Sequence, residues 1–192
     1  MIAIIKYNAG NVRSVQNALN RLGYESVLTN DSDEIRKCEK VIFPGVGEAS
    51  SAMNYLKERE LGQLIPSLKQ PVLGICLGLQ LMCSSSEEAN TNCLGIFDTV
   101  VKKFPSTELV PQMGWNNFER LEGDLFRGIE LNDDVYFIHS YYATLCDDTI
   151  AQSNYGLPFS AALQKENFYA TQFHPEKSAR IGEVILKNFL AL

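Results

Sequence analysis

The chain has 192 residues, enough for one domain with a sizeable buried core, and 45% apolar with 21% charged residues is an ordinary globular profile. A net charge of −6 with no run of Lys or Arg argues against a nucleic-acid or anionic-membrane partner. No apolar stretch approaches the roughly 20 residues that span a bilayer. Five cysteines, an odd number without CxxC or metal-site spacing, read as reduced thiols of a cytoplasmic protein.

The opening "MIAIIKYNAGN" has an apolar run but neither a basic leader nor a small-residue cleavage site, so it reads as a first strand rather than a signal peptide. In "NVRSVQNALNRLG", Val12, Val15, Leu19 and Leu22 recur at helical spacing, with Asn11 as N-cap and Gly23 as stop. "YESVLT" reads as a second strand, "DSDEIRKC" as a short capped helix, and "KVIFPGVG" as a third strand ending in a Gly-rich loop. Helical stretches over 48–59 and 61–69 precede another short apolar strand, "PVLGIC". Strands buried on both faces and separated by helices predict a parallel sheet. The stretch "CSSSEEANTNC" reads as a mobile surface loop. After about residue 94 the pattern turns to short strands between turn signals: "DTVVKKF", "WNNFERL", "DDVYFIHSYYAT", "TIAQSNYG", "FSAALQKEN" and "FYATQFH". "SARIGEVILKNFLAL" closes the chain as an amphipathic helix. The expected architecture is a single α/β domain over residues 1–192: a central, mostly parallel sheet flanked by helices, with added antiparallel strands.

Chemistry concentrates at Gly74-Ile75-Cys76-Leu77-Gly78, which fits G-x-nucleophile-x-G between a strand and a helix. The nucleophile of such an elbow sits on a strained turn, and the flanking glycines remove side chains where strand and helix cross. A helix N-terminus favours a thiolate at Cys76, and the Leu77 amide could stabilise an oxyanion. The alternative is a buried cysteine beside packing glycines. A thiolate nucleophile needs a base, and the chain has two histidines. His139 lies in an alternating strand, with Val135, Phe137 and Tyr141 on its face, and could be structural. His174 ends a strand two residues before Glu176. In extended chain the two side chains share a side, so the carboxylate can orient the imidazole, and Pro175 keeps His174 extended. With the elbow, this favours a Cys76–His174–Glu176 triad. The loop "PGVG" adds Gly45 and Gly47, whose backbone can approach a ligand closely and form a small anion-accepting nest.

"GICLGLQ", "PGVG" and "FHPEKS", in this order and over the whole chain, resemble the class I (triad) glutamine amidotransferases, whose fold is flavodoxin-like. "YNAGNVRSV", "PQMGWN" and "HSYYA" resemble one subtype, the glutaminase subunits of imidazole glycerol phosphate synthases in histidine biosynthesis. The resemblance implies that Cys76 attacks the glutamine amide and that Leu77, with Val46 or Gly47, holds the oxyanion. It implies that Gly45, Gln80, Ser140 and Tyr141 bind glutamine, and that no cofactor or metal takes part. It also implies a heterodimer in which a (β/α)8 barrel cyclase subunit receives the ammonia, because the chain shows no P-loop, Rossmann fingerprint or basic cradle for an acceptor. Asn11, Arg13, Met113, Trp115, Tyr136, Lys177 and Ser178 would lie at the docking face, although Trp115 could equally belong to the core. The family further suggests an oxyanion hole left incomplete until the partner is bound, with a peptide flip in the Gly45–Gly47 loop.

The opening Tyr7-Asn8-Ala9-Gly10-Asn11 departs from the family's usual Asp before a Tyr-Gly pair, and Gln112 stands where His is common. Both departures fall near the partner face rather than the triad. Two other families compete with this resemblance: the glutaminase subunit of pyridoxal phosphate synthase, and a cysteine hydrolase of related fold without amide chemistry on glutamine. The first would usually show a Gly-Gly-Glu-Ser run in place of "PGVGEAS". Gln80, "HSYY" and the His-Pro-Glu run argue against the second.

Overall fold

The apolar runs of the first half form consecutive parallel strands. In the computed structural model, which describes residues 1–8 and 10–192, β1 (Ile2–Ile5), β2 (Ser26–Thr29), β3 (Lys40–Phe43) and β4 (Val72–Ile75) alternate with α1 (Val12–Arg21), α2 (Ser32–Lys37), α3 (Ala49–Glu58) and α4 (Leu61–Ser67). Ala9, part of the departing opening segment, lies outside the described residues. Every residue of β1 and β4 is buried, as strands covered by helices on both faces require. The short helix α5 (Leu77–Met82) follows β4 directly. The second half supplies β5 (Ser85–Ser86), β6 (Thr91–Asn92), β7 (Val100–Lys103), β8 (Gln112–Asn116), β9 (Arg120–Leu121), β10 (Val135–His139), β11 (Tyr141–Ala143), β12 (Thr149–Asn154), β13 (Pro158–Lys165), β14 (Phe168–Thr171) and the closing helix α6 (Ala179–Ala191).

The main sheet runs β2-β1-β3-β4-β14-β13-β12-β9. It is parallel from β2 to β14 and antiparallel from β14 to β9. The chain therefore returns from its antiparallel half to insert β14 beside β4. One apolar layer packs Ile35 of α2, Leu56 of α3 and Ile65 of α4 on one side of the sheet. The other packs Val15 and Leu19 of α1 with Ile185, Leu186 and Phe189 of α6. Each such fully buried side chain stabilises the fold by roughly 1.5–3 kcal/mol. The added strands form two smaller sheets, β10-β8 and β11-β7-β5-β6.

Two stretches differ from the sequence reading. "CSSSEEANTNC" is a small hairpin rather than an irregular loop: β5 pairs with β6 and also lies parallel to β7. Its turn is closed by Thr91 Oγ1, which donates to the Glu88 carbonyl at 2.6 Å, a local polar bond that hydropathy does not reveal. The "VYFIHSYYAT" alternation breaks at Ser140, where the chain changes partner from β8 to β7, so Tyr142 is buried and Tyr141 half-exposed. Among the described residues no helix is long and apolar enough to cross a membrane.

Candidate active site

Phe43 of β3 pairs with Gly74 of β4, which pairs on its other side with Ala170 of β14. The C-terminal ends of three neighbouring parallel strands thus deliver "PGVG", Cys76 and "QFHPE" side by side, at the edge where open α/β sheets bind ligands. Cys76 has φ 52° and ψ −103°, a left-handed φ that is strained for a side-chain-bearing residue. The crossing leaves no room beside it. A Cβ on Gly78 would lie 2.0 Å from the Phe43 carbonyl oxygen, and one on Gly74 would lie 2.8 Å from Met82 Sδ. The Cys76 amide donates to Thr171 O at 2.7 Å and the Leu77 amide to Gly45 O at 3.2 Å, fixing the elbow to its neighbours.

Around the sulfur, the Ile138 carbonyl lies 3.6 Å away and Gln172 Nε2 3.7 Å away. His174 is fully buried. Its Nδ1 bonds Glu176 Oε1 at 2.7 Å, while Nε2 has no hydrogen-bond partner among the described residues. Burial opposes a charge on this ring, but the adjacent Cys76 and the bonded Glu176 outweigh it and push its pKa up to about 10. The arrangement therefore favours the protonated ring. The backbone of His174 is extended, at φ −100° and ψ 94°. Its N–H donates to Tyr136 O at 2.9 Å, and its carbonyl accepts from Ser178 Oγ at 2.7 Å. Asn11 stands at the N-cap position of α1, but with φ 72° and no side-chain bond to the helix. Its amide is instead donated to Glu176 Oε1, so the site has recruited a side chain that local rules assign to capping.

A cleft of about 260 Å³ opens beside the thiol. Val46, Gly47, Leu77, Gln80, Ser140 and Tyr141, all singled out from sequence, line it with Cys76. Gly45 is buried behind the loop, where its carbonyl caps the Leu77 amide. Glu88 also lines the cleft, and sequence reasoning missed it, because a glutamate in a polar run carries no local signal. Its carboxylate accepts from the Ala49 amide at 2.8 Å; burial raises its pKa, opposed by that bond and assisted by Glu48.

His139 has the structural role. Burial lowers its pKa to about 4, opposed by its bond to Tyr141 O and assisted by His174, so the ring stays neutral. Its Nδ1 donates to Tyr141 O at 2.8 Å, and its Nε2 faces the Gln112 side-chain amide at 2.9 Å. Gln112 thus serves as a strut beneath the cleft, buried rather than exposed to a partner.

The residues expected at a docking face divide. Met113 and Trp115 project from one side of β8, 63% and 54% exposed, which removes the core reading of the tryptophan. Trp115 meets Tyr136 edge-on, with ring centroids 5.5 Å apart. Arg13 and Lys177 are exposed, while Asn11 and Tyr136 are half-buried. Ser178 is fully buried: its hydroxyl accepts from the Tyr136 amide at 2.9 Å while bonding the His174 carbonyl, which makes it a brace under the histidine.

The family model for glutamine amidotransferase class-I matches residues 3–192. The imidazole glycerol phosphate synthase subunit HisH of Bacteroides fragilis strain YCH46 is 58% identical over 194 residues, covering 100% of this chain and 99% of that one. The subunit of the same name from Escherichia coli K12 is 47% identical, with the same coverage. A solved glutamine amidotransferase structure superposes with a TM-score of 0.78 at 17% identity, covering 100% of this chain and 98% of that one, a likeness of fold.

Proposed function

This chain belongs to the glutamine amidotransferase class-I family and, within it, to the HisH subunits of imidazole glycerol phosphate synthase, and from that premise we propose how its cleft makes ammonia. Cys76, as thiolate, attacks the side-chain amide carbon of L-glutamine, and the carbonyl electrons move onto oxygen. His174, as the imidazolium held by Glu176, protonates the nitrogen as the C–N bond breaks. Ammonia leaves and a glutamyl thioester remains on Cys76. The now neutral His174 takes a proton from water as that water attacks the thioester, and collapse releases glutamate and restores the thiolate. The oxyanion is held by the Leu77 amide and an amide of the Val46–Gly47 loop once the Gly45 carbonyl turns away. Gly45 shapes that loop. Ser140 and Tyr141 contact glutamine together with Gln80, and the Glu88 carboxylate, half-buried in the cleft, suits its α-ammonium.

We take residues 1–192 as one domain, since a continuous sheet from β2 to β9 joins both halves. The ammonia passes to a (β/α)8 barrel cyclase subunit, which docks as a heterodimer over Trp115, Met113 and Tyr136, flanked by Arg13, Lys177 and Asn11, and makes imidazole glycerol phosphate and an aminoimidazole carboxamide ribotide. The observation that carries this reading is the strained Cys76 elbow one strand from the buried His174–Glu176 pair. The test is to supply glutamine to the chain together with its cyclase subunit and that subunit's nucleotide ligand. Glutamate release, and a quench-trapped glutamyl adduct on the Cys76 peptide, are expected, both lost in Cys76→Ala. Release that survives in Cys76→Ala would overturn the assignment of the nucleophile.

A further inference from the structure

The steps above make no use of Gln172. Its side chain is fully buried, and its Nε2 lies 3.7 Å from Cys76 Sγ, within the longer reach of hydrogen bonds to sulfur. Which end of the amide faces the sulfur is set one residue further out. The Tyr141 backbone carbonyl can only accept, so the Gln80 group 3.0 Å from it is the NH2. That NH2 gives its second hydrogen to Gln172 Oε1 at 3.2 Å, which leaves the Gln172 NH2 toward the thiol. On the other side of the sulfur, the Ile138 carbonyl at 3.6 Å can only accept, and so it holds the protonated thiol. The two contacts favour opposite states of one atom: Ile138 the thiol, Gln172 the thiolate.

We propose that Gln172 is a catalytic residue, donating through Nε2 to Cys76 Sγ and holding the sulfur as thiolate, with Gln80 as the positioning residue that orients it. The inference rests on Cys76 being the nucleophile, as read above. The titratable groups described around the thiol are His174 with Glu176 behind it, Tyr7 beside the Pro44 carbonyl, and His139, Tyr141 and Glu88 along the cleft. Substitution at Gln172 leaves all of them in place.

The test reads ionisation of the sulfur and needs no glutamine turnover. The rate of Cys76 alkylation by iodoacetamide is followed against pH, by mass spectrometry of its peptide, in the wild-type chain, Gln172→Met and Gln172→Glu. Loss of a charge-assisted donor should lower the thiolate fraction about tenfold, moving the Gln172→Met midpoint up by about one pH unit, and further in Gln172→Glu. Coinciding midpoints in folded proteins, checked by thermal melting, would overturn the proposal. Should neither variant fold, the wild type decides: its Gln172 side-chain NH2 resonances should shift with the midpoint of Cys76 alkylation, and resonances indifferent to that titration would equally overturn it. A raised midpoint in a chain that never hydrolyses glutamine would support Gln172 as the thiolate donor while sinking the amidotransferase reading.

Discussion

The Leu77 amide donates to the Gly45 carbonyl at 3.2 Å, so the backbone donor immediately after Cys76 is already occupied. A tetrahedral oxyanion needs that donor, and losing one such donor costs about 10²–10³ in kcat. The isolated chain should therefore release glutamate at least about 100-fold more slowly than the same chain bound to its ligand-loaded partner subunit. Steady-state glutamate release from both preparations measures the ratio. Equal turnover would mean that the Gly45 carbonyl does not restrain the elbow.

Cys76 and, after it, Glu176 set the pH behaviour of His174. Burial works against a charge on the ring, yet Cys76 and the 2.7 Å bond to Glu176 raise its pKa from 6.5 to about 10. A group raised in the folded state adds stability that is fully present below its unfolded pKa, about 6.5, and is lost as pH rises through about 10. Urea stability of the wild type should fall across that window. In Glu176→Gln the rise is smaller, so the slope should flatten, and kcat should drop by about 10²–10⁴ through the misheld base. Parallel slopes in the two proteins would remove Glu176 from this account.

Much of the site was legible because its parts are local. The Cys76 elbow is five residues long, and His174 and Glu176 are two apart, so spacing suggested their chemistry, although Glu176 lies in a 3₁₀ turn over Pro175–Lys177 rather than on the extended chain expected. Adjacency was not legible: no local rule says that β14 inserts beside β4, and that insertion is what brings His174 to Cys76. The same blindness explains Asn11, whose expected capping role yielded to the Glu176 carboxylate, and Ser178, expected at the surface but buried beneath His174. Glu88 and Gln172 sit in ordinary contexts and reach the thiol's surroundings only through tertiary contacts.

Glu88 tests how substrate is recognised. A half-buried carboxylate lining the cleft would pair with the α-ammonium of glutamine, and a hydrogen bond to a charged group contributes about 1.5–3 kcal/mol. Glu88→Gln should therefore raise KM for glutamine by about 10–100-fold with a much smaller change in kcat, since the amide end of the substrate is handled elsewhere. Initial-rate kinetics over a glutamine series, with the activated complex, separate the two constants. A fall in kcat at unchanged KM would place Glu88 in the chemistry instead.

Gly78 shows how closely the elbow depends on packing. A Cβ there would stand 2.0 Å from the Phe43 carbonyl oxygen, a backbone atom of β3 that cannot rotate away. Gly78→Ala must push α5 off β3, and α5 carries Leu77 and Gln80 and follows Cys76 directly. Overpacking of this kind costs typically 1–3 kcal/mol, occasionally more, so the urea midpoint should fall and glutamate release should fall with it. Gly62 in α4 is the matched comparison. Its nearest neighbour to an added Cβ is 3.9 Å away, and helix propensity favours alanine by up to about 1 kcal/mol. Gly62→Ala should keep or slightly raise stability and leave turnover unchanged. If both substitutions behaved alike, the glycine after the nucleophile would not be there to let strand and helix cross, and the strain at Cys76 would need another source.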